Sequence, residues 1–586
     1  MCGIFGYVGE QKKAAQIILE GLKTLEYRGY DSWGIAVKQG KKLKVDKHVG
    51  KIGQAVVKLP KSSMGIGHTR WATHGGVTVL NAHPHLDCTK QIAVVHNGIV
   101  ENFEELKKEL IKKGHIFVSE TDTEVVPHLI EEYLKNEGFA SSVRDAFNRL
   151  KGMNAVVVAD ALSSEIIAAK TGSPLIVGIG NNEFFIASDA TGIIKYTRRV
   201  LFLKDKEMVI LGKELQLLSL PKGKKLTPRI EVVNWKAEDA NKGEYEHFML
   251  KEIYEQPRVI RNIAKDYDGQ INQLIRIIKQ AKGTFFIGAG TAFHACLAGG
   301  YLFSKIAGIH VNTAVASEFN YLEHFLNNKS LIIALSQSGE TIDVVEPLNR
   351  AKKKGSKIVA IINVLGSTIY RMADYKLLLG AGPEKAVACT KAYITKLAVL
   401  LMLSFGMVGK TKEIKAVIHR AADESERLLE RENIEKIKKI ASLLASASHI
   451  YAIGRGVSYP TALEAALKIK EVSYIHTEGL AAGELKHGPI ALVTKGTPCI
   501  VFAPNDETYE AMISNATEIK SRGGLIIGVS PKNSAVFDYW IEVRDVGEAS
   551  IIPQIIPIQL LAYYLAIKKG YDPDMPRNLA KSVTVK

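Results

Sequence analysis

The chain has 586 residues, of which 46% are hydrophobic and 24% are charged. This is the balance of an ordinary globular protein, and because a single core rarely exceeds about 250–300 residues, the length predicts about three domains. The net charge of +16 fits either a lysine-rich surface or an attraction for anionic substrates. We find no basic stripe with interleaved aromatic residues, which argues against nucleic-acid binding.

The five cysteines stand far apart, and no two of them form a Cys-x-x-Cys pair. An odd number at such spacing argues against a disulfide scaffold and is typical of a reducing compartment. No charged and apolar leader opens the chain, so we expect a cytoplasmic protein. The longest apolar runs, residues 397–409 and 551–567, are short or interrupted by proline and glutamine, and we expect buried core helices there rather than membrane spans.

The segment up to about residue 235 mixes short β-like runs with few helices. Apolar residues at helical spacing predict a helix over residues 15–25, and a polar helix is predicted from about 102 to 113, closed by Gly114. Buried strands are predicted at residues 92–95, 155–161, 165–169 and 175–178. Because these strands follow one another with few helices between them, stacked antiparallel sheets are favoured over a parallel sheet.

A polar stretch over residues 236–245 predicts a linker that runs into a helix near residues 247–256. Beyond it the sequence repeats itself. Residues 286–290 resemble residues 452–456, and Glu318 matches Glu484 at the same offset (484 − 318 = 166). Glu340-Thr341 and Glu507-Thr508 follow at an offset of 167. Three matching blocks in the same order indicate duplication of one unit.

Each repeated unit alternates β-runs with helical patterns. The β-runs are predicted at residues 285–288, 330–335 and 357–364 in the first unit, and at residues 449–454, 498–503 and 524–529 in the second. This alternation predicts parallel, doubly wound α/β sheets with helices on both faces. Ligands in such folds bind at the carboxyl ends of the strands.

Cys2 follows the initiator methionine, which is usually removed before a small residue. A free N-terminal cysteine carries both a thiol and an α-amine, whose reference pKa near 7.7–8.0 suits a general base at neutral pH. One residue can then act as nucleophile and base without a histidine relay. A cysteine at this position is commonly accidental when it stands alone, so the hypothesis depends on its surroundings.

Those surroundings resemble the glutaminase half of the glutamine–fructose-6-phosphate aminotransferase family, a branch of the N-terminal-nucleophile (Ntn) amidotransferases. The likeness runs from Cys2 to the last ten residues of the chain. It rests on the following motifs in order: Cys2-Gly3-Ile4-Phe5-Gly6, Glu26-Tyr27-Arg28-Gly29-Tyr30-Asp31-Ser32, His68-Thr69-Arg70-Trp71-Ala72-Thr73-His74-Gly75, His96-Asn97-Gly98, Glu120-Thr121-Asp122-Thr123-Glu124, and Pro576-Arg577-Asn578-Leu579-Ala580-Lys581-Ser582-Val583-Thr584-Val585. The resemblance implies an αββα Ntn-hydrolase glutaminase domain followed by two sugar isomerase (SIS) domains.

The resemblance also implies roles for residues of the glutaminase. Cys2 attacks the side-chain amide of glutamine to give a thioester and ammonia. The side-chain amide of Asn97 and the backbone N–H of Gly98 form the oxyanion hole, which supplies the two donors that acyl transfer requires.

Free glutamine is recognised through its two ends in this family. The resemblance implies that Arg70 binds the α-carboxylate as a bidentate partner and that Asp122 binds the α-amine. Trp71, Thr73 and His74 belong to the loop that closes over glutamine, and Trp71 resembles the family's gate on an ammonia passage.

Five histidines in this half invite a metal hypothesis: His68, His74, His83, His85 and His96. His83-x-His85 has no fitting carboxylate or cysteine partner in sequence, and the others are widely spaced. We therefore expect hydrogen bonding within loops from these residues. We expect neither a metal nor another cofactor.

In the first repeated unit, a Ser-Gln-Ser-Gly-Glu-Thr segment follows a β-run and opens a helix. Hydroxyls and free N–H groups at a helix N-terminus can hold a phosphate, although a serine-glycine turn is commonly a simple helix cap. The segment matches the SIS signature, which implies that Ser336, Gln337, Ser338 and Thr341 hold the sugar phosphate. Thr291, after the first glycine-rich turn, is assigned to the same site.

For fructose 6-phosphate, the family's reaction requires ring opening, an amine for the carbonyl, and a proton shuttle between C1 and C2. The resemblance implies His487 for ring opening, Lys581 for a Schiff base and Glu471 for the proton. Lys468 precedes Glu471 by three residues on one helix face and can steady developing charge. In the family's pattern His487 comes from a neighbouring subunit, which implies a homodimer. The second unit has Ala503-Pro504-Asn505-Asp506-Glu507 in place of the phosphate loop, so one sugar site per chain is expected.

The sequence departs from the family in two places near the expected sugar site. Ala292 and Cys389 each stand where the family usually has serine. Each change can remove a hydroxyl contact worth about 0.5–1.5 kcal/mol. We therefore expect an altered affinity for the sugar.

The sequence thus predicts a glutaminase domain over residues 2–235, a linker over 236–256, SIS domains over 257–425 and 426–575, and a catalytic tail over 576–586. The predicted partners are L-glutamine and fructose 6-phosphate, with no nucleic acid and no membrane. One alternative is a glutaminase joined to another acceptor site, but we find no ATP-pyrophosphatase or phosphoribosyl-pyrophosphate loop. The other is a sugar-phosphate sensor, which would have a DNA-binding helix-turn-helix and no need for Cys2, Arg70 and Asp122.

Overall fold

The computed structural model describes residues 2–233 and 241–583, and the chain divides into two compact units. One unit comprises Met1–Asn241 together with Ala580–Lys586, and the other comprises Lys242–Leu579. Residues 236–240 of the predicted linker, Met1 and the last three residues lie outside the described part of the chain.

The described part of the N-terminal unit contains fifteen strands. They are β1 (Gly3–Gly9), β2 (Ser32–Gln39), β3 (Lys42–Val49), β4 (Met64–Arg70), β5 (His85–Leu86), β6 (Ile92–Gly98), β7 (Asn154–Asp160), β8 (Ile166–Thr171), β9 (Ile176–Ile179), β10 (Glu183–Ala187), β11 (Arg199–Phe202), β12 (Glu207–Leu211), β13 (Leu215–Ser219), β14 (Lys224–Leu226) and β15 (Glu231–Val232). The four helices are α1 (Ala14–Leu25), α2 (Phe103–Lys112), α3 (Val125–Leu134) and α4 (Phe139–Arg149).

These strands form two antiparallel sheets, ordered β15-β11-β9-β10-β1-β4-β2-β3 and β14-β13-β12-β8-β7-β6-β5. Successive side chains of a strand point to opposite faces, so each sheet has an inner and an outer apolar set. Ile4 and Val95 belong to the core between the sheets, whereas Val94 packs with the apolar faces of α2, α3 and α4. Helix α1 covers the first sheet with Ile18 and Leu22. This four-layer arrangement confirms the predicted αββα fold.

The second unit contains ten strands: β16 (Gly283–Gly288), β17 (Asn312–Val315), β18 (Ser330–Ser336), β19 (Lys357–Ile362), β20 (Tyr375–Leu378), β21 (His449–Gly454), β22 (His476–Ala481), β23 (Pro498–Phe502), β24 (Leu525–Ser530) and β25 (Tyr539–Glu542). Its helices in the described range are α5 (Phe248–Tyr254), α6 (Gln256–Asp266), α7 (Asp268–Gln280), α8 (Thr291–Leu302), α9 (Ala316–Leu322), α10 (Ile342–Lys353), α11 (Thr368–Met372), α12 (Lys391–Met407), α13 (Thr411–Leu428), α14 (Arg431–Leu444), α15 (Ser458–Ser473), α16 (Tyr509–Lys520) and α17 (Ile551–Lys568).

The two sheets of this unit share one topology. Their strand orders are β17-β16-β18-β19-β20 and β22-β21-β23-β24-β25, and all pairs are parallel. Neighbouring residues of β16 are buried on opposite faces, since Phe286 belongs to one core cluster and Phe285 to another. Burial on both faces explains the continuous apolar runs in the sequence. The shared order confirms the predicted duplication and the doubly wound parallel sheets.

The apolar run near the end of the chain forms a core helix. Within the described residues, Gly547–Lys568 is the one helix whose length and composition would suit a membrane span, and 89% of its apolar window is buried inside the protein. Core helices of globular proteins satisfy the same criteria. The other apolar run forms α12, in which Leu397, Leu400 and Leu401 are fully buried.

Candidate active site

Cys2 precedes an inner strand of the first sheet. In the β1–β4 register Gly3 lies opposite Thr69, and the Gly3 N–H donates to Thr69 Oγ1 over 3.0 Å. This pairing brings Cys2 to the end of β4, where the Trp71 N–H donates to Cys2 Sγ over 3.2 Å. The Cys2 thiol in turn donates to the Trp71 carbonyl over 3.5 Å, so the sulfur is held against the start of the loop that follows β4.

The carbonyl of Cys2 is held by two side chains. Asn97 Nδ2 donates to it over 3.0 Å, and Arg28 Nε donates over 3.3 Å. Arg28 is itself buried and forms an ion pair with Asp189 at 3.1 Å. Sequence analysis assigned no role to Arg28, although it lies in a quoted motif. Its contacts fix the backbone that carries the thiol.

The side-chain amide of Asn97 has an orientation set by His68. Burial lowers the pKa of His68 to about 3, so its ring is neutral at physiological pH. His68 Nε2 lies 3.1 Å from the His96 carbonyl oxygen and 3.1 Å from Asn97 Oδ1. Since both oxygens can only accept, Nε2 carries the hydrogen. Asn97 therefore directs its Nδ2 toward Cys2, and its second N–H can serve another acceptor.

Gly98 is the last residue of β6, and its backbone conformation favours glycine. Its φ is +130°, and a Cβ at this position would lie 2.1 Å from the Met153 carbonyl oxygen. A side chain is therefore excluded by both conformation and space. Because Gly98 has no side chain, its backbone N–H can lie beside the Asn97 side-chain amide without being covered by a Cβ.

Arg70 ends β4, and its guanidinium is buried beneath the loop that follows. Its NH1 donates to the Gly76 carbonyl over 3.0 Å, and its NH2 donates to the carbonyls of His74 and Gly75, the latter over 3.1 Å. Burial lowers the pKa of Arg70, an effect that nearby carboxylates, including Asp122, oppose. The expected carboxylate partner of Arg70 is thus replaced by three loop carbonyls in this conformation.

The other predicted glutamine contacts lie around this loop. Asp122 is buried and accepts from the Val100 N–H over 2.7 Å. Trp71 meets Tyr30 edge-to-face at 5.4 Å between ring centroids, and His74 meets Phe103 at 5.7 Å. Thr73 is exposed. Two of the predicted loop side chains are therefore anchored and one faces solvent.

The remaining histidines of the predicted cluster take part in hydrogen bonds. The His96 ring contacts Thr123 Oγ1 at 2.8 Å and Asn154 Oδ1 at 2.9 Å. His83 stacks on His68 at 4.1 Å between ring centroids, and His85 Nε2 lies 3.0 Å from Thr121 Oγ1. Burial lowers the pKa of His83, His85 and His96. These contacts connect β6 to the segment that carries Asp122.

In the second unit, the predicted phosphate segment joins β18 to α10. Ser336 Oγ accepts from the Gly339 N–H over 3.0 Å, and Ser338 Oγ accepts from the Glu340 N–H over 3.2 Å. Gly339 has a φ of +65°, and a Cβ there would lie 2.0 Å from Ser367 Oγ. Thr341 stands at the N-cap position of α10 in an extended conformation, and its side chain makes no capping hydrogen bond. The segment is a tight turn of hydroxyls at a helix N-terminus, which can hold an anion.

A buried charge cluster lies on α15 opposite the start of α8. Lys468 Nζ lies 2.5 Å from Glu471 Oε2 and 3.4 Å from Glu464 Oε1, and it donates to Thr291 Oγ1 over 3.1 Å. Thr291 in turn donates to Glu464 Oε1 over 3.0 Å, and His294 contacts Glu464 Oε2 at 2.7 Å. The hydroxyl of Thr291, which we assigned to the sugar phosphate, is thus occupied by this cluster.

The cluster keeps Lys468 charged. Burial alone would lower the pKa of Lys468, but the carboxylates of Glu464 and Glu471 outweigh it and raise that pKa. Likewise burial alone would raise the pKa of Glu464, and Lys468 and His294 bring it below its usual value. Sequence analysis missed Glu464 and His294. The spacing of four residues between Glu464 and Lys468 was the available signal, since such pairs share a helix face.

His487 is exposed at the end of a short helical turn, Ala482–His487. Lys581 is half-buried, and the tail from Ala580 belongs to the N-terminal unit in the division of the chain. Ala292 is buried in the first turn of α8, and Cys389 is half-buried against the core of the second unit.

The second repeat has a cavity of about 270 Å³ at the carboxyl ends of its strands. Asp506, Glu507, Asp545 and Glu548 contribute to its lining. Lys305 of the first repeat also lines the cavity and pairs with Glu507 at 2.9 Å, so the carboxylates outnumber the cations and the net negative potential disfavours phosphate.

Stacked antiparallel sheets with an N-terminal cysteine beside the Asn97 amide, followed by two parallel sheets of one topology, define a glutamine amidotransferase joined to a pair of SIS domains. The glutamine amidotransferase domain model matches residues 72–195, and the SIS domain model matches residues 277–405 and 443–567.

Full-length relatives define the family further. The chain is 47% identical over 601 residues to the glutamine–fructose-6-phosphate aminotransferase [isomerizing] of Pyrococcus horikoshii and 44% identical over 604 residues to that of Thermococcus kodakarensis, with 100% of each chain covered. The C-terminal domain of glucosamine-fructose-6-phosphate aminotransferase from Francisella tularensis is 34% identical, with a TM-score of 0.52 over 57% of this chain and 99% of that one. The chain belongs to the glutamine–fructose-6-phosphate aminotransferase family.

Proposed function

We propose that this protein transfers ammonia from L-glutamine to D-fructose 6-phosphate and isomerises the product to D-glucosamine 6-phosphate. The observation that carries this proposal is full-length identity of 47% to a relative of that name, together with the contact of Asn97 with Cys2. The two chemistries belong to different parts of the chain. The N-terminal unit releases ammonia, and the pair of SIS domains binds the sugar.

In the glutaminase reaction, removal of Met1 leaves Cys2 with a free α-amine that takes the proton of its own thiol. The sulfur attacks the side-chain carbonyl carbon of glutamine, and the resulting oxyanion accepts hydrogen bonds from Asn97 Nδ2 and the Gly98 N–H. Collapse of this intermediate expels ammonia and leaves a thioester. Water then hydrolyses the thioester to release glutamate. The contact of His68 with Asn97 Oδ1 supports this role, because it aims the amide nitrogen at Cys2.

Glutamine is held through Arg70 and Asp122 in this proposal. The loop carbonyls that now accept from Arg70 give way to the α-carboxylate, which offers two charged acceptors instead of neutral ones. Binding of glutamine therefore rearranges residues 74–76. Trp71, Thr73 and His74 move with this loop and cover the substrate.

At the sugar site, Ser336, Gln337, Ser338 and Thr341 bind the phosphate. His487, from a neighbouring subunit of a homodimer, opens the sugar ring. Lys581 then forms a Schiff base with the open-chain ketone as water leaves. Ammonia adds to C2 of this imine and expels the Lys581 amine, which leaves the sugar imine for isomerisation.

Glu471 moves the proton between C1 and C2 of the sugar. Lys468, at 2.5 Å from its carboxylate, balances the charge that develops there. Thr291 positions Lys468 and Glu464 and acts on the sugar through them. Because carboxylates line the corresponding cavity of the second repeat, we infer one sugar site per chain.

The proposed domain plan keeps a glutaminase over residues 2–235, SIS domains over 257–425 and 426–575, and a catalytic tail over 576–586. A cytoplasmic homodimer completes the proposal. Analysis of the purified full chain by size-exclusion chromatography with light scattering would test the dimer.

The function is tested by supplying glutamine and fructose 6-phosphate and identifying the product by mass. Glucosamine 6-phosphate and glutamate should form in equal amounts. Cys2→Ala should abolish glutamine-dependent synthesis but retain the isomerisation of fructose 6-phosphate, since the sugar residues are separate. The matched control Cys499→Ala removes a buried cysteine of β23 and should keep both activities. Full glutaminase activity in Cys2→Ala would refute the nucleophile assignment.

A further inference from the structure

A second cluster of reactive side chains lies in the N-terminal unit, and none of its members contacts Cys2. It comprises Cys88, His115, His128 and Glu131, whose potential ligand atoms all lie within 4.8 Å of one another. We propose that Cys88 Sγ, His115 Nδ1, His128 Nδ1 and Glu131 Oε2 bind one zinc ion. The site goes beyond the proposed function, and it replaces our expectation from the sequence that no metal is bound.

The distances within the cluster fit a tetrahedral ion. Cys88 Sγ lies 3.7 Å from His115 Nδ1 and 3.5 Å from His128 Nδ1. Glu131 Oε2 lies 3.0 Å from His115 Nδ1 and 3.4 Å from His128 Nδ1. With Zn–N near 2.0–2.1 Å and Zn–S near 2.3 Å, neighbouring ligand atoms of a tetrahedron lie roughly 3.3–3.6 Å apart. The two distances to His128 Nδ1 lie within that range, and the two to His115 Nδ1 lie within a few tenths of an ångström of it.

The ligand set selects zinc among common metals. One thiolate, two imidazoles and one carboxylate combine soft and borderline donors, whereas magnesium and calcium prefer oxygen ligands alone. Cys88 loses its proton to solvent on binding, so the thiolate and the Glu131 carboxylate balance the two charges of the ion. Four protein ligands leave no open position, which is typical of a structural site.

Each histidine has a carboxylate on its outer side. His115 Nε2 lies 3.0 Å from Glu132 Oε2, which is a hydrogen-bonding distance, whereas His128 Nε2 lies 3.7 Å from Glu124 Oε1, close enough for an ion pair but not for a hydrogen bond. Carboxylates at the outer nitrogen orient metal-binding histidines and leave Nδ1 for the ion. The Ile116 N–H also donates to Cys88 Sγ over 3.4 Å, which suits a sulfur that carries negative charge. The cluster therefore has the outer contacts of a metal site as well as the inner ones.

The elements that supply the ligands explain what the ion would do. Cys88 follows β5, His115 follows α2, and His128 and Glu131 lie three residues apart on α3. Cys88 is exposed and the two histidines are buried, so the ion enters from the rim. One zinc would tie together three segments that are distant in sequence.

The site also connects to the proposed glutamine pocket through Glu124. Glu124 Oε1 accepts from the Val118 N–H over 2.8 Å, and its Oε2 accepts from the Ser119 N–H over 2.7 Å. These residues precede Asp122. Zinc on His128 would thus hold the segment that presents Asp122, which makes the four ligands positioning residues for the pocket.

Metal content provides the first test. The full chain is treated with a chelator, loaded with zinc, desalted and analysed by mass spectrometry for metals. We expect about one zinc per chain for the wild type and for the control Cys499→Ala. Cys88→Ala and Glu131→Gln should each lose most of it. Equal zinc in wild type and Cys88→Ala would overturn the proposal, since it would place the ion elsewhere, for example on Cys2 and its α-amine.

Cobalt provides a second readout that does not depend on activity. Cobalt in the wild-type chain should give the visible bands of a tetrahedral ion and a thiolate charge-transfer band in the near ultraviolet. Cys499→Ala should keep that charge-transfer band, and Cys88→Ala should lose it. A spectrum typical of six oxygen ligands, or one unchanged by Cys88→Ala, would refute the site. Glu132→Gln, which leaves all four ligands in place, should lower the zinc affinity by about 10–100-fold in competition with a chromophoric chelator.

Stability provides the third readout. Chelator treatment should lower the unfolding temperature of the wild-type chain, and zinc should restore it. Cys88→Ala should resemble the chelated wild type and respond to neither treatment. An identical response of wild type and Cys88→Ala to zinc would exclude this cluster as its cause.

Discussion

At the scale of single residues, the state of His68 determines how the glutaminase site is arranged. A neutral ring with hydrogen on Nε2 donates to Asn97 Oδ1 and leaves the amide nitrogen for Cys2. A protonated ring would bring a positive charge into a fully buried position, which burial strongly disfavours. The same environment therefore excludes the charge and orients the Asn97 amide, which we propose as an oxyanion donor.

Because His68 is neutral in the folded protein, we expect the folded protein to lose stability in acid. The unfolded chain binds a proton at His68 below its ordinary pKa of about 6.5, whereas the folded chain does so only near pH 3. Between these values the unfolded form binds more protons, so the free energy of unfolding decreases as the pH falls from 6.5. His68 alone contributes a slope of at most about 1.4 kcal/mol per pH unit.

Amide hydrogen exchange at constant temperature, corrected for its intrinsic pH dependence, can measure this slope for peptides of β4 and β6. His68→Gln should reduce overall protection but make its pH dependence shallower by about one proton. An unchanged slope in His68→Gln would contradict the neutral buried state.

At the scale of elements, the end of β6 is shaped by Gly98. Any side chain at this position would have to adopt a positive φ, and its Cβ would also lie 2.1 Å from the Met153 carbonyl oxygen. Gly50 is a matched control, because its φ is +90° and a Cβ would meet nothing within 4 Å. Comparing alanine substitutions at the two glycines therefore separates the free-energy cost of a positive φ from the cost of a clash with the Met153 carbonyl.

We expect Gly50→Ala to cost about 1 kcal/mol of stability and to leave glutamine hydrolysis unchanged. Gly98→Ala should cost more, and displacement of the Asn97 amide should reduce kcat for ammonia release by about 10²-fold or more, the effect of losing one oxyanion donor. Urea unfolding and an ammonia assay would measure both effects. Equal losses in the two variants would show that contact with Met153 does not matter.

The C-terminal tail presents a choice between two lysines for the Schiff base. A lysine must lose its proton to attack a carbonyl, and the raised pKa of Lys468 between Glu464 and Glu471 keeps it protonated. Lys581 in the tail is half-buried, and it is the lysine that the resemblance to the family assigns to the Schiff base. The physical argument therefore favours Lys581.

Borohydride reduction in the presence of fructose 6-phosphate should trap a covalent adduct at Lys581, identified by peptide mass spectrometry. Lys581→Arg should keep the charge but lose the adduct and the synthesis. Lys495→Arg, an exposed lysine of the second unit, should keep both. Trapping at Lys468, or normal synthesis by Lys581→Arg, would rule out the assignment.

At the scale of the whole molecule, the proposed homodimer makes a prediction about His487. This residue is exposed in the single chain, and in the proposal it completes the site of a neighbouring subunit. In a two-fold dimer, each subunit would give its His487 to the other. Two inactive variants can then restore each other.

Co-expression of His487→Ala with Glu471→Gln should produce mixed dimers in which one of two sites has both wild-type residues. With random pairing, about a quarter of the wild-type activity should return. The activity of each variant expressed alone should stay near zero. Failure of co-expressed variants to recover activity, with mixed dimers detected by mass, would show that His487 acts within its own chain.

The sequence by itself determined the features that depend on local order along the chain. The alternation of β-runs and helices predicted parallel doubly wound sheets, and the 166-residue offset predicted two copies; both are confirmed by two sheets of one strand order. The αββα fold was implied by motifs that begin at Cys2, and it is confirmed as well. The sheet types could be predicted because hydrophobic periodicity follows from which face of each element is buried, whereas the αββα fold was implied by the resemblance to a family.

Only the tertiary structure decided which distant side chains meet. Cys88 is separated from His115 and His128 by 27 and 40 positions, and their convergence arises from the packing of α2, α3 and the turn after β5. In the same way, the loop carbonyls on Arg70 and the contact of Thr291 with Glu464 follow from tertiary packing. Contacts of this kind have no period or spacing in the sequence, because they depend on how complete elements pack, and so a motif can name a residue without naming its partner.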